Sequence, residues 1–331
     1  MTPRELVLEL VAKGLLTEEA AVGHLTIAPL IGRNDNRAIE LAGGRAFLAK
    51  QAVGSSSALA NEARVYELLR ARESGFAAHM PVARAFDSRR RLLVLDLIRD
   101  ARTAGSGRGV ASMLGRALAR LHAIDVSRRR LRAIDRPWVL SFDCLPLEGL
   151  RRISSANLQM TRMIQESRSL CRAFADLAAS WTTSALIHND LRWENCLLSR
   201  GRKLKLVDWE LAGRGDPAWD VGTIFSNFLA RWLFSMTFDR GASPGLRRTA
   251  HEPLAPMHAA MRRFWRAYTE SGGDVSLVRA TRFAAARLIQ TAFEMQRLST
   301  DVSGNVVSLL QLSENMMARP DDAASTLLGL H

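Results

Sequence analysis

Three polar residues between positions 190 and 208 carry the functional groups that phosphoryl transfer requires. Asp190 and Asn195 lie five residues apart in one predicted loop, and Asp208 follows two short apolar runs, 196–199 and 203–207. A turn between these runs predicts a hairpin that returns Asp208 to the side of Asn195. Phosphoryl transfer needs one carboxylate for the proton of the attacking hydroxyl and hard oxygen ligands for Mg²⁺. The three residues supply both.

A lysine and a glutamate nearer the N-terminus supply the cationic half of such a site. Lys50 ends a predicted strand, and Glu62 lies in the helix that follows. Transfer from a nucleoside triphosphate uses a lysine that a helix glutamate holds in place. The four lysines of the chain are Lys13, Lys50, Lys203 and Lys205. Because arginine fills nearly every other cationic position, a lysine here indicates chemistry that needs a compact ammonium.

The stretch from residue 186 to 222 resembles the aminoglycoside phosphotransferase and choline kinase family, which is related to the protein kinases. It reads LIHNDLRWENCLLSRGRKLKLVDWELAGRGDPAWDVG. Three motifs of that family occur in order: H-x-D-x₄-N at His188, Asp190 and Asn195, D-W-E at Asp208 to Glu210, and G-D-P-x-x-D at Gly215 to Asp220. The resemblance covers roughly residues 25–300.

The resemblance implies ATP as phosphoryl donor, Mg²⁺ as cofactor, and a role for each matching residue. The implied roles are catalytic base for Asp190, γ-phosphate contact for Arg192, Mg²⁺ ligation for Asn195 and Asp208, and support of the catalytic loop for His188 and Asp220. Two positions depart from the family pattern. Asn189 stands where the family usually has glycine, and Trp193 is bulky beside the site.

Further residues of the N-terminal half are expected to bind the nucleotide. Besides Lys50 and Glu62, they are Gly32, Asn36, Leu95 and Leu97. The loop 32–36 lies between two apolar runs and is expected to cover the phosphates. The segment 94–98 joins the two expected lobes and is expected to bind adenine through its backbone. ATP and GTP are not distinguished at this level.

The elements predicted around these residues give an α+β fold. Strands are predicted over 37–42, 45–51, 82–86 and 91–98, with one helix over 58–72. Gly43-Gly44 predicts a hairpin between the first two strands. Helices are then predicted over 109–124, 154–180, 219–237, 254–271, 276–298 and 305–317. With the resemblance, this pattern predicts a bilobal protein-kinase-like fold with a small β-rich N-lobe and a large, mainly helical C-lobe.

Four segments are expected along the chain. They are an N-terminal helical extension (1–24, with helices over 4–13 and 17–22), a nucleotide-binding N-lobe (25–98), a C-lobe with the catalytic loop and acceptor site (99–318), and a loosely held tail (319–331).

Composition excludes several classes of protein. The three cysteines, Cys144, Cys171 and Cys196, fit neither a disulfide framework nor a zinc site. No signal-peptide pattern or membrane-spanning run occurs, so a soluble, cytoplasmic protein is expected. The net charge of +13 is open to a compositional and a functional interpretation. Nucleic acid is not an expected partner, because the arginine runs 89–91 and 128–130 lack interleaved aromatics.

The acceptor is left open by the sequence. The first interpretation is a hydroxyl of a small molecule such as an amino sugar, an antibiotic or a metabolite. The second is a Ser or Thr hydroxyl in a ribosomally made precursor peptide of the lanthipeptide or thioamitide type. A third is an ATP-binding regulatory subunit without catalysis, and the oligomeric state is not predicted.

Charge near the acceptor bears on this choice. The acids available in the region 219–317 are Asp239, Glu252, Glu270, Asp274 and Glu294. Convergence of several of them on Asp190 would favour a cationic small molecule, whereas a basic, groove-like wall would favour an acidic peptide.

Overall fold

A five-stranded antiparallel sheet is the main element of the first of two compact units in the computed structural model. The first unit comprises residues 1–104 and 193–212, and the second comprises residues 105–192 and 213–331. The structure describes residues 1–55, 57–71, 75–105, 109–127, 131–142, 153–238, 248–250 and 253–331.

The sheet of the first unit has the strand order β1-β2-β3-β5-β4. Its strands are β1 Leu25–Leu30, β2 Asp35–Leu41, β3 Ala46–Gln51, β4 Ala83–Asp87 and β5 Leu92–Asp96. The predicted hairpin joins β2 to β3, and Gly44 in its turn has a φ of +81°, which glycine adopts without strain. No strand is predicted at β1. The structure makes β1 an edge strand, where Pro29 is tolerated.

Two N-terminal helices precede the sheet, as predicted. They are α1 Pro3–Ala12, which begins in a capping box of Thr2 and Glu5, and α2 Glu18–Val22, capped by Thr17. One buried apolar cluster unites α1 with the sheet, and it contains Leu6, Leu10, Leu16, Ile39, Phe47, Ala49, Leu92 and Val94. The N-terminal extension therefore shares the core of the sheet rather than standing apart from it.

A helix and a small second sheet complete the first unit. The helix is α3 Ser57–Arg70, and the sheet contains β6 Arg102–Thr103, β8 Cys196–Leu198 and β9 Leu204–Leu206. Strands β8 and β9 form the predicted hairpin, with Cys196 opposite Leu206. The Asn61 side chain of α3 donates to the carbonyls of Glu210 and Ala212 at 3.1 and 2.9 Å, so α3 is fixed to the segment that follows the hairpin.

The second unit is mainly helical. Its helices are α4 Val110–His122, α5 Ser155–Glu166, α6 Arg168–Ala179, α7 Pro217–Phe234, α8 Leu254–Glu270, α9 Leu277–Met295, α10 Gly304–Ala318 and α11 Pro320–Thr326. Its strands are β7 Ala185–Ile187, paired with β10 Gly213–Gly215, and β11 Met236–Phe238, paired with β12 Arg248–Ala250. The predicted helical region 154–180 is divided at Ser167, whose side chain caps α6.

Helix α7 runs through the core of the second unit. Residues 218–226 of this helix are all buried, and the helix packs against α9. The contact depends on Gly222, because a Cβ there would lie 2.8 Å from the carbonyl oxygen of Ala280 and from the nitrogen of Ala284. This close approach holds the two helices that carry several residues of the candidate site.

The C-terminal segment is not the loosely held tail that the sequence predicts. It forms α11, and Ala323, Ala324, Leu328 and Leu330 are buried. Pro320 occupies the first helical turn, where proline is favoured, so it starts a helix here rather than ending one. Burial of these apolar side chains stabilises the segment, although its proline and two aspartates predict a loose tail.

The predicted α+β fold, with a small sheet-containing part and a helical remainder, is confirmed. The functional labels of the four predicted segments stay predictions. No helix in the described parts of the chain is long and apolar enough to cross a membrane. Several residues singled out in the sequence lie outside the described residues: Arg128 to Arg130, Cys144, Asp239 and Glu252.

Candidate active site

A cavity of about 430 Å³ opens in the first unit, a size within the range of small-molecule sites. Its walls come from β1, β2, β3, β5 and the β8–β9 hairpin. Seven residues predicted to bind nucleotide or metal line it: Gly32, Asn36, Lys50, Leu95, Leu97, Asn195 and Asp208. The buried Tyr66 of α3 lines it as well.

Lys50 is held in the cavity by two carboxylates. Its Nζ lies 2.8 and 2.9 Å from the two oxygens of Glu62 and 2.8 Å from Oδ1 of Asp208. The residue is 6% exposed, and Glu62 is fully buried. A buried ammonium between two carboxylates is oriented by strong, charge-assisted hydrogen bonds. The predicted pair of Lys50 with Glu62 is thus present, and Asp208 joins it.

Burial and charge act in opposite directions on this pair. Burial raises the pKa of the Glu62 carboxyl from its ordinary value of 4.5 to about 7, and the ammonium of Lys50 opposes that rise. For Lys50, burial alone would lower the pKa, but the charges of Glu62 and Asp208 outweigh burial and raise it above 10.5. Lys50 therefore remains a cation.

The β8–β9 hairpin brings Asp208 back to Asn195, as its sequence predicts. The N–H of Val207 donates to the carbonyl of Asn195 at 3.0 Å. Asp208 has a φ of +67° and Oδ1 bound to Lys50, whereas its Oδ2 accepts no hydrogen bond from the residues that the structure describes. A carboxylate oxygen and an amide oxygen are hard donors that suit Mg²⁺, which keeps several of its waters. The residues present fit this ion.

The loop predicted to cover phosphates closes over Asn36. A Cβ at position 32 would lie 2.2 Å from the Asn36 amide nitrogen, so any residue larger than glycine would displace this side chain. Within the described chain, the buried Oδ1 of Asn36 has no hydrogen-bond partner. Arg33 reaches Glu210 at 3.4 Å and adds a second cation to the lining of the cavity.

In the segment predicted to bind adenine, residues 94–98, one backbone N–H is already used in pairing with β3. The N–H of Leu97 donates to the carbonyl of Ala46 at 3.0 Å, so it is not available to a base. In the described part of the chain, neither the Leu97 carbonyl nor the Ile98 N–H makes a backbone hydrogen bond. Leu95 and Leu97 line the cavity and supply apolar surface for a ring.

In the second unit, the catalytic-loop motif is anchored on a buried carboxylate. Asp220, in the first turn of α7, accepts hydrogen bonds from the N–H groups of His188 and Asn189 at 2.7 and 2.9 Å. The Nε2 of His122 lies 3.5 Å from the same carboxylate. Asn189 has a φ of +68°, the region that favours glycine, and asparagine tolerates it better than most residues. This accounts for asparagine at a position where glycine is expected.

Asp190 lies in a closed ring of four charges within the second unit. Nη2 of Arg192 donates to Oδ2 of Asp190 at 3.1 Å, and Nε of Arg192 lies 3.1 Å from Oδ1 of Asp190. Nη2 of Arg287 lies 3.9 Å from the same Oδ1. Glu294 completes the ring, 3.2 Å from Arg287 and 3.9 Å from Arg192. Of the acids considered in the sequence, Glu294 is the one that joins Asp190 among the described residues, and two guanidinium groups balance the pair.

Two residues of this region were missed in the sequence. Asn227 donates from Nδ2 to the carbonyl of Leu191 at 2.7 Å and so fixes the loop a second time. It follows Asp220 by seven residues on one helix, which puts both on the same face. Arg287 is a lone cation in the apolar run FAAARLIQ. In both cases the available signal was a polar residue in a mainly apolar stretch of a helix.

The chain belongs to the phosphotransferase enzyme family, whose model matches residues 26–268. The predicted class of enzyme, a phosphotransferase acting on hydroxyl groups, is thereby confirmed at the level of the family. No curated protein matches the chain.

Solved structures of similar fold include several kinases. Choline kinase LicA from Streptococcus pneumoniae is 18% identical with a TM-score of 0.56, covering 94% of this chain and 99% of its own, and LicA has also been solved with AMP. A putative fructosamine-3-kinase from Thermobifida fusca is 17% identical with a TM-score of 0.58, covering 96% and 100%. The macrolide 2'-phosphotransferase MphH from Brachybacterium faecium is 18% identical with a TM-score of 0.53, covering 94% and 98%.

Proposed function

We propose that the chain transfers the γ-phosphate of ATP to a hydroxyl group of a small molecule. The observation that carries the proposal is the buried Lys50, which is held by Glu62 and Asp208 in a cavity of nucleotide-binding size. A buried ammonium costs much desolvation energy, and its retention is accounted for when it receives phosphate oxygens. The structure of LicA with AMP supports an adenine nucleotide as the ligand of this fold.

The cavity provides a place for each part of ATP. Lys50 binds the phosphates, with Glu62 orienting its ammonium, and the loop at Gly32 and Asn36 covers them. The base lies against Leu95 and Leu97, and its hydrogen bonds go to the Leu97 carbonyl and the Ile98 N–H, since the Leu97 N–H is already used. Mg²⁺, when bound, neutralises phosphate charge, and Asn195 and Asp208 are the residues that would hold it.

Asp190 is the proposed general base. The acceptor oxygen forms a bond to the γ-phosphorus while the bond to the β,γ-bridging oxygen breaks, the hydroxyl proton goes to Asp190, and ADP leaves. Asp190 precedes Asn195 by five residues, so no chain conformation separates their Cα atoms by more than about 18 Å. Arg192, one hydrogen bond from Asp190, is the residue proposed to stabilise charge on the transferred group.

A small-molecule acceptor has more support than a peptide. The enzymes of similar fold named above are, by name, choline, fructosamine and macrolide kinases. No observation in the described residues favours a precursor peptide. Small molecules of several classes are therefore tested as acceptors, and labelling of a peptide is the alternative outcome.

The proposal is tested by transfer from labelled ATP in the presence of Mg²⁺. Amino alcohols, sugars, amino sugars, macrolides and Ser- or Thr-containing peptides are offered as acceptors, and label in the acceptor is measured. The wild-type chain is expected to label at least one small molecule. Asp190→Asn is expected to lower kcat by a factor of about 10² or more, because general-base catalysis contributes about 10²–10⁴.

A matched variant controls for loss of charge. Asp176→Asn removes an exposed carboxylate from α6 in the same unit and is expected to leave kcat unchanged. Transfer by Asp190→Asn at the wild-type rate would contradict the assignment of the base. Labelling of peptides alone would contradict the small-molecule acceptor. ATP binding without transfer to any acceptor would favour the regulatory interpretation.

A further inference from the structure

We propose that Arg287 is a positioning residue, which holds the carboxylate of Asp190 in place from within the core of α9. The inference rests on the proposed function for its kinetic part, because it assigns to Asp190 the role of base. Its structural part, the interaction of Arg287 with Asp190, can be measured without activity. None of the three motifs that carry the family resemblance contains this residue.

The surroundings of Arg287 make its presence informative. The side chain is 3% exposed, and its neighbours Ala284, Ala285, Ala286, Leu288 and Ile289 are fully buried. Removing a guanidinium from water is costly unless carboxylates pair with it. Leucine or methionine would be the ordinary residue at such a position, so the cation has to be explained by what it contacts.

Arg287 contacts two carboxylates and no other charged groups among the described residues. Nη1 lies 3.2 Å from Oε1 of Glu294, and Nη2 lies 3.9 Å from Oδ1 of Asp190. Glu294 also accepts a hydrogen bond from Nε2 of Gln290 to its Oε1, at 3.1 Å. A planar guanidinium presents donors in a fixed fork, so it can fix the distance between two acceptors in a way that an ammonium cannot.

The ring has two acids and two bases, and that balance depends on Arg287. Without it, the ring keeps two carboxylates and one guanidinium, that of Arg192, which is 46% exposed. Arg192 is also the residue proposed to contact the transferred phosphate. A rotation of Asp190 towards a new partner would displace its oxygens from the acceptor proton, and a displacement of about 1 Å costs about 10²-fold in rate.

Kinetics of two variants at position 287 test the functional part. With labelled ATP and the acceptor identified by the screen, Arg287→Met is expected to lower kcat about 100-fold, with KM for ATP unchanged within about two-fold. Arg287→Lys, which keeps the charge but loses the fork, is expected to recover about ten-fold of that loss. The Lys variant also serves if Arg287→Met does not fold.

A second arginine of the same helix is the matched control. Arg282 lies five residues earlier in α9 and donates to the carbonyl of Ala173 at 3.1 Å, outside the ring. Arg282→Met is expected to keep kcat within about two-fold of wild type. If Arg287→Lys and Arg282→Met give the same kcat as wild type, Arg287 has no positioning role.

A double-mutant cycle in urea unfolding tests the contact without any assay of activity. The unfolding equilibrium constants of wild type, Arg287→Lys, Asp190→Asn and the double variant are compared. The two substitutions are expected to be coupled by a factor of about five or more, as for residues in one ion-pair network. Additive effects would overturn the proposal. A wild-type chain that transfers phosphate to no acceptor would contradict the proposed function. The double-mutant cycle would in that case still show whether Arg287 and Asp190 interact.

Discussion

Two residues of the candidate site hold the backbone in the left-handed region although neither is glycine. Asn189 has a φ of +68° beside the proposed base, and Asp208 has a φ of +67° where it meets Lys50. Such a conformation costs most residues about 1–2 kcal/mol, and backbone strain of this kind concentrates at functional sites. A hydrogen bond holds the backbone at or next to each position. The N–H of Asn189 donates to Asp220, and the N–H of Val207, which precedes Asp208, donates to the carbonyl of Asn195.

The strain at Asn189 gives a prediction about stability. Asn189→Gly is expected to keep the free energy of unfolding within about 0.5 kcal/mol of wild type, because glycine adopts this φ freely. Asn189→Leu is expected to lower it by about 1–2 kcal/mol. Urea denaturation of the three chains measures both values. Equal stability of the Leu and Gly variants would contradict a left-handed backbone at this position.

The buried Glu62 gives a prediction about pH. Its pKa is raised from 4.5 to about 7 in the folded chain, so the folded chain retains a proton that the unfolded chain releases between these values. The contribution of Glu62 to stability is therefore complete below pH 4.5 and is lost as the pH rises towards 7.

This contribution is isolated by comparison with Glu62→Gln. The free energy of unfolding of wild type relative to the Gln variant is expected to fall as the pH rises from 4.5 to 7, measured by denaturation at each pH. A difference between the two chains that is constant over this window would show that Glu62 titrates normally.

At the scale of elements, one helix and one hairpin position the residues that are proposed to bind the nucleotide and its metal. Helix α3 carries Glu62 to Lys50, and its Asn61 is bound to the segment after Asp208. The β8–β9 hairpin returns Asp208 to Asn195. Both elements were predictable, because the helix has clear apolar periodicity and the hairpin has a turn signal between two short strands.

Other features depend on contacts that no local pattern carries. Strand β1 is fixed by pairing with β2, and α11 by burial of Leu328 and Leu330. The availability of the Ile98 N–H depends on where β3 begins, because the N–H of Leu97 already pairs with Ala46, the first residue of that strand. The ring around Asp190 joins residues about a hundred positions apart in sequence. The motifs indicate the residues that are proposed to react. The residues that contact and orient these side chains are specified by tertiary packing.

At the scale of the whole molecule, the candidate residues are divided between the two compact units. The first unit contains the cavity with Lys50, Asn195 and Asp208, and the second contains the loop with His188 and Asp190. The segment 193–212 belongs to the first unit but is flanked on both sides by residues of the second. The motif H-x-D-x₄-N therefore begins in the second unit and ends in the first.

The net charge of +13 does not arise from the ring of four charges around Asp190. In the described part of the chain, Asp190 and Glu294 are matched by Arg192 and Arg287. These four side chains carry no net charge between them. A polycationic acceptor would need a surplus of negative charge, which these four side chains do not supply.

The central claim is that the cavity around Lys50 binds ATP for transfer, and calorimetry of ATP binding with Mg²⁺ tests it most directly. Wild type and Asp190→Asn are expected to bind with equal Kd, because Asp190 acts on the acceptor. Lys50→Met is expected to weaken binding at least about ten-fold, through loss of a charge-assisted contact of about 1.5–3 kcal/mol. Lys203→Met, at an exposed lysine of the same unit, is expected to change nothing. ATP binding by Lys50→Met with the Kd of wild type would contradict the account.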